Sequence, residues 1–220
     1  MPTSRFDKFL AIAGILAGIV FVIAGFHNDP PGVSAGADAR VQWWNDHDTT
    51  MAIAGFGSAY FAVLMAFFAT GVRRLLRSGE AGESTYSTAA LAGGVLVASG
   101  AILQSLLTLS SLEAADKKQD QVVTTLAFLG DFAWLPLIAG FAVFYLAAGL
   151  GGLRTATLPK WLSIVTIVLG AACVLGPTGI AAWFATPLWL IVVGVLMLRG
   201  SGSTAPAASP APAASAYASS

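Results

Sequence analysis

The chain has 220 residues, of which 56% are hydrophobic and only 10% charged, and its mean hydropathy is +0.78. Because soluble domains carry about a quarter of charged residues, this composition predicts an integral membrane protein. Eleven basic residues balance eleven acidic ones, which excludes the strongly basic surface of a nucleic-acid-binding protein, and the single cysteine, Cys173, excludes an internal disulfide or a metal site built on several thiolates.

Long apolar runs predict an all-α polytopic bundle of six transmembrane helices, because a helix needs about 20 apolar residues to cross about 30 Å of hydrocarbon. In chain order the predicted spans are residues 9–26, 51–72, 88–112, 122–150, 161–176 and 180–198. The last two come from one uncharged run that the turn signal Gly176-Pro177-Thr178-Gly179 divides. The transmembrane domain therefore covers residues 1–199, and the Ala-, Ser- and Pro-rich residues 200–220 are predicted to be a disordered tail.

The first predicted span follows a basic segment, as the core of a signal peptide does, and Ala35-Gly36-Ala37 resembles a cleavage site. However, the apolar run is longer than a usual signal core, and this site lies well beyond it, after Pro30-Pro31. We therefore expect a retained transmembrane helix.

The basic residues predict that both termini are cytoplasmic in a multi-pass protein of the cell membrane, because Lys and Arg are retained on the cytoplasmic side. In this orientation eight basic residues lie inside and three outside. The inside set is Arg5, Lys8, Arg73, Arg74, Arg77, Arg154, Lys160 and Arg199, and the outside set is Arg40, Lys117 and Lys118.

The first outer loop, residues 27–50, is long enough to hold structure of its own. Ser34 is a candidate N-cap for a short helix that extends through Trp44. Trp43 and Trp44 are typical of a helix anchored at the membrane interface. The alternative interpretation is a lid or docking surface for an external ligand.

The same loop holds both histidines, with several aspartates close to them in sequence. Imidazole and carboxylate groups can ligate a divalent metal such as zinc, so His27, His47, Asp46 and Asp48 form a candidate metal site. Their spacing matches no established metal motif, and such residues also cap helices or remain solvated at helix ends. No cofactor is predicted.

Asp131 is the one acidic residue inside a predicted span, where a charge costs about 2.5 to 3.5 kcal/mol. We therefore predict that Asp131 is buried, protonated and hydrogen-bonded to Gln104, Tyr60 or Ser58, which lie at similar depth on neighbouring helices. With Thr186 of the last span, these residues form a candidate ligand-binding site. The competing interpretation is a purely structural hydrogen bond between helices.

Small residues and one proline predict how the spans pack. Pro136 is expected to bend the fourth helix near residue 132, because proline cannot donate a backbone hydrogen bond. Small residues four positions apart allow helices of the same chain to approach closely. These pairs are Gly14 with Gly18, Gly55 with Ala59, and Gly94 with Ala98.

The sequence contains no Ser/His/Asp set, HExxH motif or glycine-rich phosphate loop, so an enzyme is not predicted. Two interpretations remain open. The first is a protein that binds or moves a small solute or a proton through an outward-facing polar cavity around Asp131. The second is a non-catalytic accessory or assembly subunit that contacts a membrane-protein partner within the lipid bilayer.

Several short segments resemble an uncharacterised family of six-span membrane proteins from high-GC Gram-positive bacteria, classed as a domain of unknown function. The segments are Arg5-Phe6-Asp7-Lys8, Pro30-Pro31-Gly32, Trp43-Trp44-Asn45-Asp46-His47, Leu129-Gly130-Asp131 and Leu158-Pro159-Lys160-Trp161-Leu162. The resemblance covers about residues 5–199. It implies the six-span architecture and supplies no reaction, ligand or site.

Overall fold

The computed structural model describes residues 4–26, 30–32, 34–82, 84–175 and 178–200, and these form eight α-helices and no strand. The helices are α1 (Arg5–Gly25), α2 (Ala37–Asp46), α3 (Asp48–Arg77), α4 (Thr85–Asp116), α5 (Asp120–Gly130), α6 (Trp134–Thr155), α7 (Lys160–Val174) and α8 (Gly179–Gly200). The predicted all-α class is confirmed. Residues 201–220 of the predicted tail, His27, and Gly176 and Pro177 of the predicted turn lie outside the described residues.

Five segments among the described residues are long and apolar enough to cross a membrane. They are Arg5–Gly25, Asp48–Arg77, Thr85–Asp116, Asp120–Thr155 and Gly179–Gly200. The fifth predicted span corresponds to α7, an apolar helix of 15 residues that measures about 22 Å at 1.5 Å per residue. It is therefore shorter than the others, and only the multi-pass character of the chain is established at this level.

The six longest helices form a closed ring in which each packs against its neighbours in sequence, in the order α1, α3, α4, α6, α7 and α8, with α8 returning to α1. The chain alternates direction around the ring. We call the end where α1 finishes and α3 and α8 begin the α2 end, and the opposite end, which carries Ser4 and Gly200, the termini end.

Glycines let the ring helices approach each other backbone to backbone, most closely between α4 and α6. An added Cβ atom at Gly140 would lie 2.5 Å from the backbone nitrogen of Val97, and one at Gly100 would lie 2.7 Å from that of Leu137. The predicted small-residue contacts within the chain are confirmed for Gly14, Gly18, Gly55 and Gly94, which face Phe68, Pro187, Leu109 and Ala69, respectively.

Aromatic side chains from α3, α6 and α8 fill the centre of the ring. The Trp189 ring lies edge-on to Phe68, Phe144 and Tyr145, with ring centroids 4.9 to 6.0 Å away. The buried Tyr145 hydroxyl donates a hydrogen bond to Thr186 Oγ1 at 2.8 Å, and the Trp189 Nε1 group donates one to the Thr166 hydroxyl at 2.7 Å. These bonds satisfy polar groups that would otherwise be costly at this depth.

The predicted bend near residue 132 is confirmed and is sharper than expected: within the apolar segment Asp120–Thr155, a turn over residues 131–133 separates α5 from α6. Pro136 explains the break: it has no N–H group to bond to the carbonyl of residue 132, and its ring would collide with that carbonyl in a continuous helix. The Phe132 carbonyl instead accepts a bond from the Leu135 N–H at 3.1 Å, and the Asp131 carbonyl accepts one from Trp134 Nε1 at 2.9 Å. With 22 residues, α6 alone measures about 33 Å.

At the α2 end, α3 and α4 extend beyond the other ring helices and support α2 and α5. The end of α1 is level with a point about a third of the way along α3, since an added Cβ at Gly57 would lie 2.6 Å from the Cβ of Ala24. The first turns of α3 therefore project past α1. They pack with α2, α5 and the end of α4 around a separate apolar cluster, which we call the cap: Trp44, Met51, Ala54, Ala114, Ala115 and Val123.

Arg40 joins α2 to α5 at the cap. Its guanidinium group donates to the carbonyl of Ala35 at 2.6 Å and to the hydroxyl of Thr124 at 2.7 Å. The prediction that Ser34 is the N-cap residue of this helix is wrong, because α2 has Gly36 at its N-cap position and no side-chain hydrogen bond there. The start of α2 is held by Arg40 instead.

Polar contacts at the termini end fix the helix ends and the α3–α4 connection. The Arg74 guanidinium lies 3.1 Å from the carboxylate of Asp7. The Glu80 carboxylate accepts bonds from the backbone N–H and the hydroxyl of Ser87, at 2.9 and 2.6 Å. Partial burial of this carboxyl raises its pKa, but the bonds from Ser87 and the backbone of Tyr86, together with the charge of Arg77, outweigh that effect and lower the pKa of Glu80.

Candidate ligand cavity

A cavity of about 400 Å³ lies inside the ring near the α2 end, between α1, α3, α4, α8 and the α5–α6 break. Its volume falls in the range of small-molecule sites, about 300 to 1,000 Å³. The cap lies directly beside it, since Ala54 belongs to both. Towards the middle of the ring, Phe61 and Leu137 line the cavity and belong to the main apolar core.

Three polar side chains line the cavity: Ser58 on α3, and Gln104 and Thr108 on α4. The Ser58 hydroxyl donates to the Ala54 carbonyl at 2.8 Å, so it offers only acceptor capacity to a ligand. The Gln104 amide and the Thr108 hydroxyl make no hydrogen bond to any other residue that the structure describes. Thr108 is only 8% exposed as a residue, and because it lines the cavity its hydroxyl remains available to a ligand.

The spacing of Gln104 and Thr108 explains why they face the same cavity. Residues four apart on a helix lie on one face, one turn from each other. Gly55 of α3 contributes by leaving room beside Thr108, whose Cγ2 atom lies 3.5 Å from the position of an added Cβ there. Gln104 was predicted from its depth in the third span, and Thr108, four residues further along, was missed.

Six aromatic residues make up half of the remaining lining residues, and none of the described lining residues is ionisable. Phe21 is central to this wall: its ring lies 4.5 Å from that of Trp183 and 5.2 Å from that of Phe61 between centroids. The six residues are Phe21, Phe26, Phe61, Trp134, Trp183 and Phe184. The cavity thus combines aromatic walls with a few uncharged polar groups.

The structure brings together only part of the ligand site predicted from sequence. Ser58 and Gln104 share the cavity. The prediction that Asp131 is buried and bonded to Gln104, Tyr60 or Ser58 is wrong: Asp131 is exposed in the turn between α5 and α6 and does not line the cavity. Because the helix is broken before Pro136, Asp131 lies just ahead of the start of α6, where its side chain is exposed. Thr186 is buried in the ring centre against Tyr145.

Tyr60 points away from the cavity and is 66% exposed. It lines a second, larger groove of about 920 Å³ between α1, α3 and the end of α4. Apolar residues such as Ile53 and Phe56 line this groove, and Asp48, Glu113 and Asp116 lie in its wall at the α2 end.

The candidate metal site is not assembled in the described part of the chain, where no group of three or more His, Cys, Asp or Glu side chains could hold a metal ion. His47 stacks on Trp43 with ring centroids 4.3 Å apart, and its Nδ1 lies 2.8 Å from the Trp43 carbonyl oxygen. The Asp48 carboxylate accepts a bond from the backbone N–H of Thr49. Both residues therefore serve the junction between α2 and α3, and Asp46 is exposed.

Comparison of the chain with protein-family models, curated proteins and solved structures finds no match.

Proposed function

We propose that the chain is a multi-pass protein of the cell membrane that binds a small uncharged molecule in the cavity beside the cap. The observation that carries this proposal is the pair of unpartnered polar groups, the Gln104 amide and the Thr108 hydroxyl, in an aromatic-walled space of about 400 Å³. Gln104 is half-buried and Thr108 is buried, and a ligand or water in the cavity can supply the hydrogen bonds that the protein does not give them. The binding site is thus centred on α4 and not on Asp131.

The proposed topology has six spans and cytoplasmic termini, with α7 as the fifth span. It is supported by the eight basic residues of the termini end against three at the α2 end. In this orientation the cavity lies near the external surface. Cysteine labelling tests the assignment after Cys173→Ala: a cysteine at the exposed Lys117 should react with an impermeant reagent from outside, and one at the exposed Ser78 should not. The reverse pattern would refute it.

Ligand binding can be tested with the double variant Gln104→Leu/Thr108→Val, which removes both unpartnered groups at nearly constant volume. Gln121→Leu is the matched control, because Gln121 is exposed on α5. Organic extracts of the purified proteins would be compared by mass spectrometry. We expect a small uncharged compound to accompany the wild type and the control and to be depleted from the double variant.

The same variants make a stability prediction that a structural role would reverse. In ligand-free protein, replacing these two polar groups, which lack a protein partner in an aromatic-walled cavity, by apolar ones should raise the free energy of unfolding by about 1 kcal/mol. If the double variant is instead destabilised and the extracts are identical, Gln104 and Thr108 are packing residues and the proposed binding function fails.

The second candidate function is an accessory subunit, which the groove beside Tyr60 favours. Its apolar wall and acidic residues at the α2 end suit a partner helix that carries a basic residue near its outer end. A photoreactive amino acid at position 60 should then crosslink a discrete membrane protein in cells. Crosslinks to lipid alone would refute this alternative.

A further inference from the structure

We infer that the cavity takes its ligand from the bilayer, and that this ligand is an uncharged amphipath with a planar, carbonyl-bearing head group, the chemistry of a quinone. This inference rests on the proposed binding function and adds the ligand class and its route of entry. Three features support it: the depth of the cavity, the chemistry of its rim, and the hydrogen-bonding groups inside.

The cavity lies at the level where the shorter ring helices end. Gly25, the last residue of α1, faces Trp183, whose Cζ2 atom lies 3.4 Å from the position of an added Cβ. Trp134 is the first residue of α6, and Phe184 lies five residues after the start of α8, about 8 Å along its axis. Helices of about 33 Å that cross about 30 Å of hydrocarbon place this level close to the head-group boundary.

The rim of the cavity is apolar. Trp134, Phe184 and Phe26 line the cavity and are also 48%, 62% and 41% exposed, so they form its border with the surroundings of the ring. Phe26 and Phe184 are neighbours, with ring centroids 5.2 Å apart. Tryptophan and other aromatic residues at this depth contact lipid. A rim of this kind admits a molecule dissolved in the bilayer and disfavours a strongly hydrated solute.

The polar groups lie on α4, which stands across the ring from α8 and its exposed Phe184, and the cap covers the side beyond Ala54. A ligand that enters beside Phe184 therefore meets apolar side chains first and the hydrogen-bonding groups last. This order suits a molecule whose polar head enters the cavity while its apolar chain remains in the bilayer. About 400 Å³ accommodates such a head group without a long tail.

The lining chemistry selects an uncharged head that accepts hydrogen bonds. A charged ligand would be buried without a counter-charge, because none of the described lining residues is ionisable, and that burial is very costly. The Gln104 amide offers two N–H donors and the Thr108 hydroxyl one O–H donor, which complement carbonyl oxygens, and the acceptor oxygens of the same side chains can bind hydroxyl groups on such a head. The six aromatic rings suit a planar head, since such rings interact favourably in offset or edge-on arrangements.

The test uses the full-length protein in lipid nanodiscs and three probes. Decylubiquinone is uncharged, planar and lipid-soluble; nicotinamide is uncharged and planar but water-soluble; decyltrimethylammonium is lipid-soluble but charged. Binding is measured as a saturable rise in the unfolding temperature. We expect decylubiquinone alone to raise it, by about 2 °C or more at saturation, and its apparent affinity to fall by about tenfold in Gln104→Leu/Thr108→Val and to be unchanged in Gln121→Leu.

The outcomes separate the inference from the function on which it rests. If nicotinamide binds in a Gln104-dependent manner and decylubiquinone does not, the site is filled from water, and the inference fails while the binding function stands. Preferential binding of decyltrimethylammonium would refute the uncharged class. If no probe binds but a compound still co-purifies in a Gln104-dependent manner, the ligand class is wrong. If neither occurs, both proposals fail.

Discussion

Replacing Gly140 by alanine tests how closely α4 and α6 pack. The added Cβ would lie 2.5 Å from the backbone nitrogen of Val97 and 2.9 Å from the carbonyl carbon of Leu96. Both atoms belong to the backbone of a helix, so no side chain can rotate away. Because ordinary contact begins at 3.4 Å, the two helices must separate by close to 1 Å along this part of their interface.

The size of the effect follows from two opposing terms. Overpacking a well-packed interface costs about 1 to 3 kcal/mol, and the upper half of that range applies where rigid backbone must move. Alanine recovers about 1 kcal/mol through its higher helix propensity. We therefore expect Gly140→Ala to lower the free energy of unfolding by about 1 to 2 kcal/mol.

The assay is reversible unfolding by SDS in mixed micelles, followed by circular dichroism. Gly130→Ala is the matched control, because nothing lies within 4 Å of an added Cβ there, and it should be neutral or slightly stabilising. Gly100→Ala strains the same interface, 2.7 Å from the backbone of Leu137, so the effects of Gly100→Ala and Gly140→Ala should be less than additive. Equal stability of Gly140→Ala and Gly130→Ala would refute the close backbone packing.

Three further changes test other parts of the structure. Thr186→Val should destabilise the protein by about 1 kcal/mol more than Tyr145→Phe does. The Thr186 variant leaves the buried Tyr145 hydroxyl without its acceptor, whereas the Tyr145 variant removes only one bond. Equal losses of stability in SDS unfolding would contradict the assigned bond direction. The folded-state pKa of Glu80 lies below its ordinary 4.5, so its contribution to stability is present above that value and is lost as pH falls through the lowered pKa. When the unfolding midpoint is measured against pH, Glu80→Gln should therefore show a smaller decrease in stability on the acid side than the wild type. Identical curves for the two proteins would exclude the Ser87 contact as the cause. Asp131→Asn should change the free energy of unfolding by less than about 0.5 kcal/mol, since Asp131 is exposed, and a loss of several times that amount would mean that its carboxylate is buried after all.

The helical class and the approximate positions of the apolar helices could be predicted from the sequence because they depend on local composition. The cavity could be predicted only in part. Depth along each span placed Ser58 and Gln104 together, since depth depends only on the rise per residue. Depth does not give the direction in which a side chain points, so Tyr60 and Thr186 were assigned to the same site although one faces outwards and the other the ring centre.

Asp131 shows which further information was needed. The prediction treated residues 122–150 as one transmembrane helix with a bend near residue 132, and an acid nine residues into such a span must be buried or paired. The decisive feature is Pro136, which breaks the helix so that α6 begins at Trp134. With 22 residues and about 33 Å, α6 alone is already long enough to cross the hydrocarbon. The preceding α5 is then free to pack on the cap, and Asp131 lies at the level where the spanning helix begins. The same break brings Gly130 and Trp134 to the wall of the cavity. Proline thus explains both the exposed carboxylate and the opening beside it: a helix that restarts after this break places the charge outside the ring and leaves space between the ring helices for the proposed uncharged ligand.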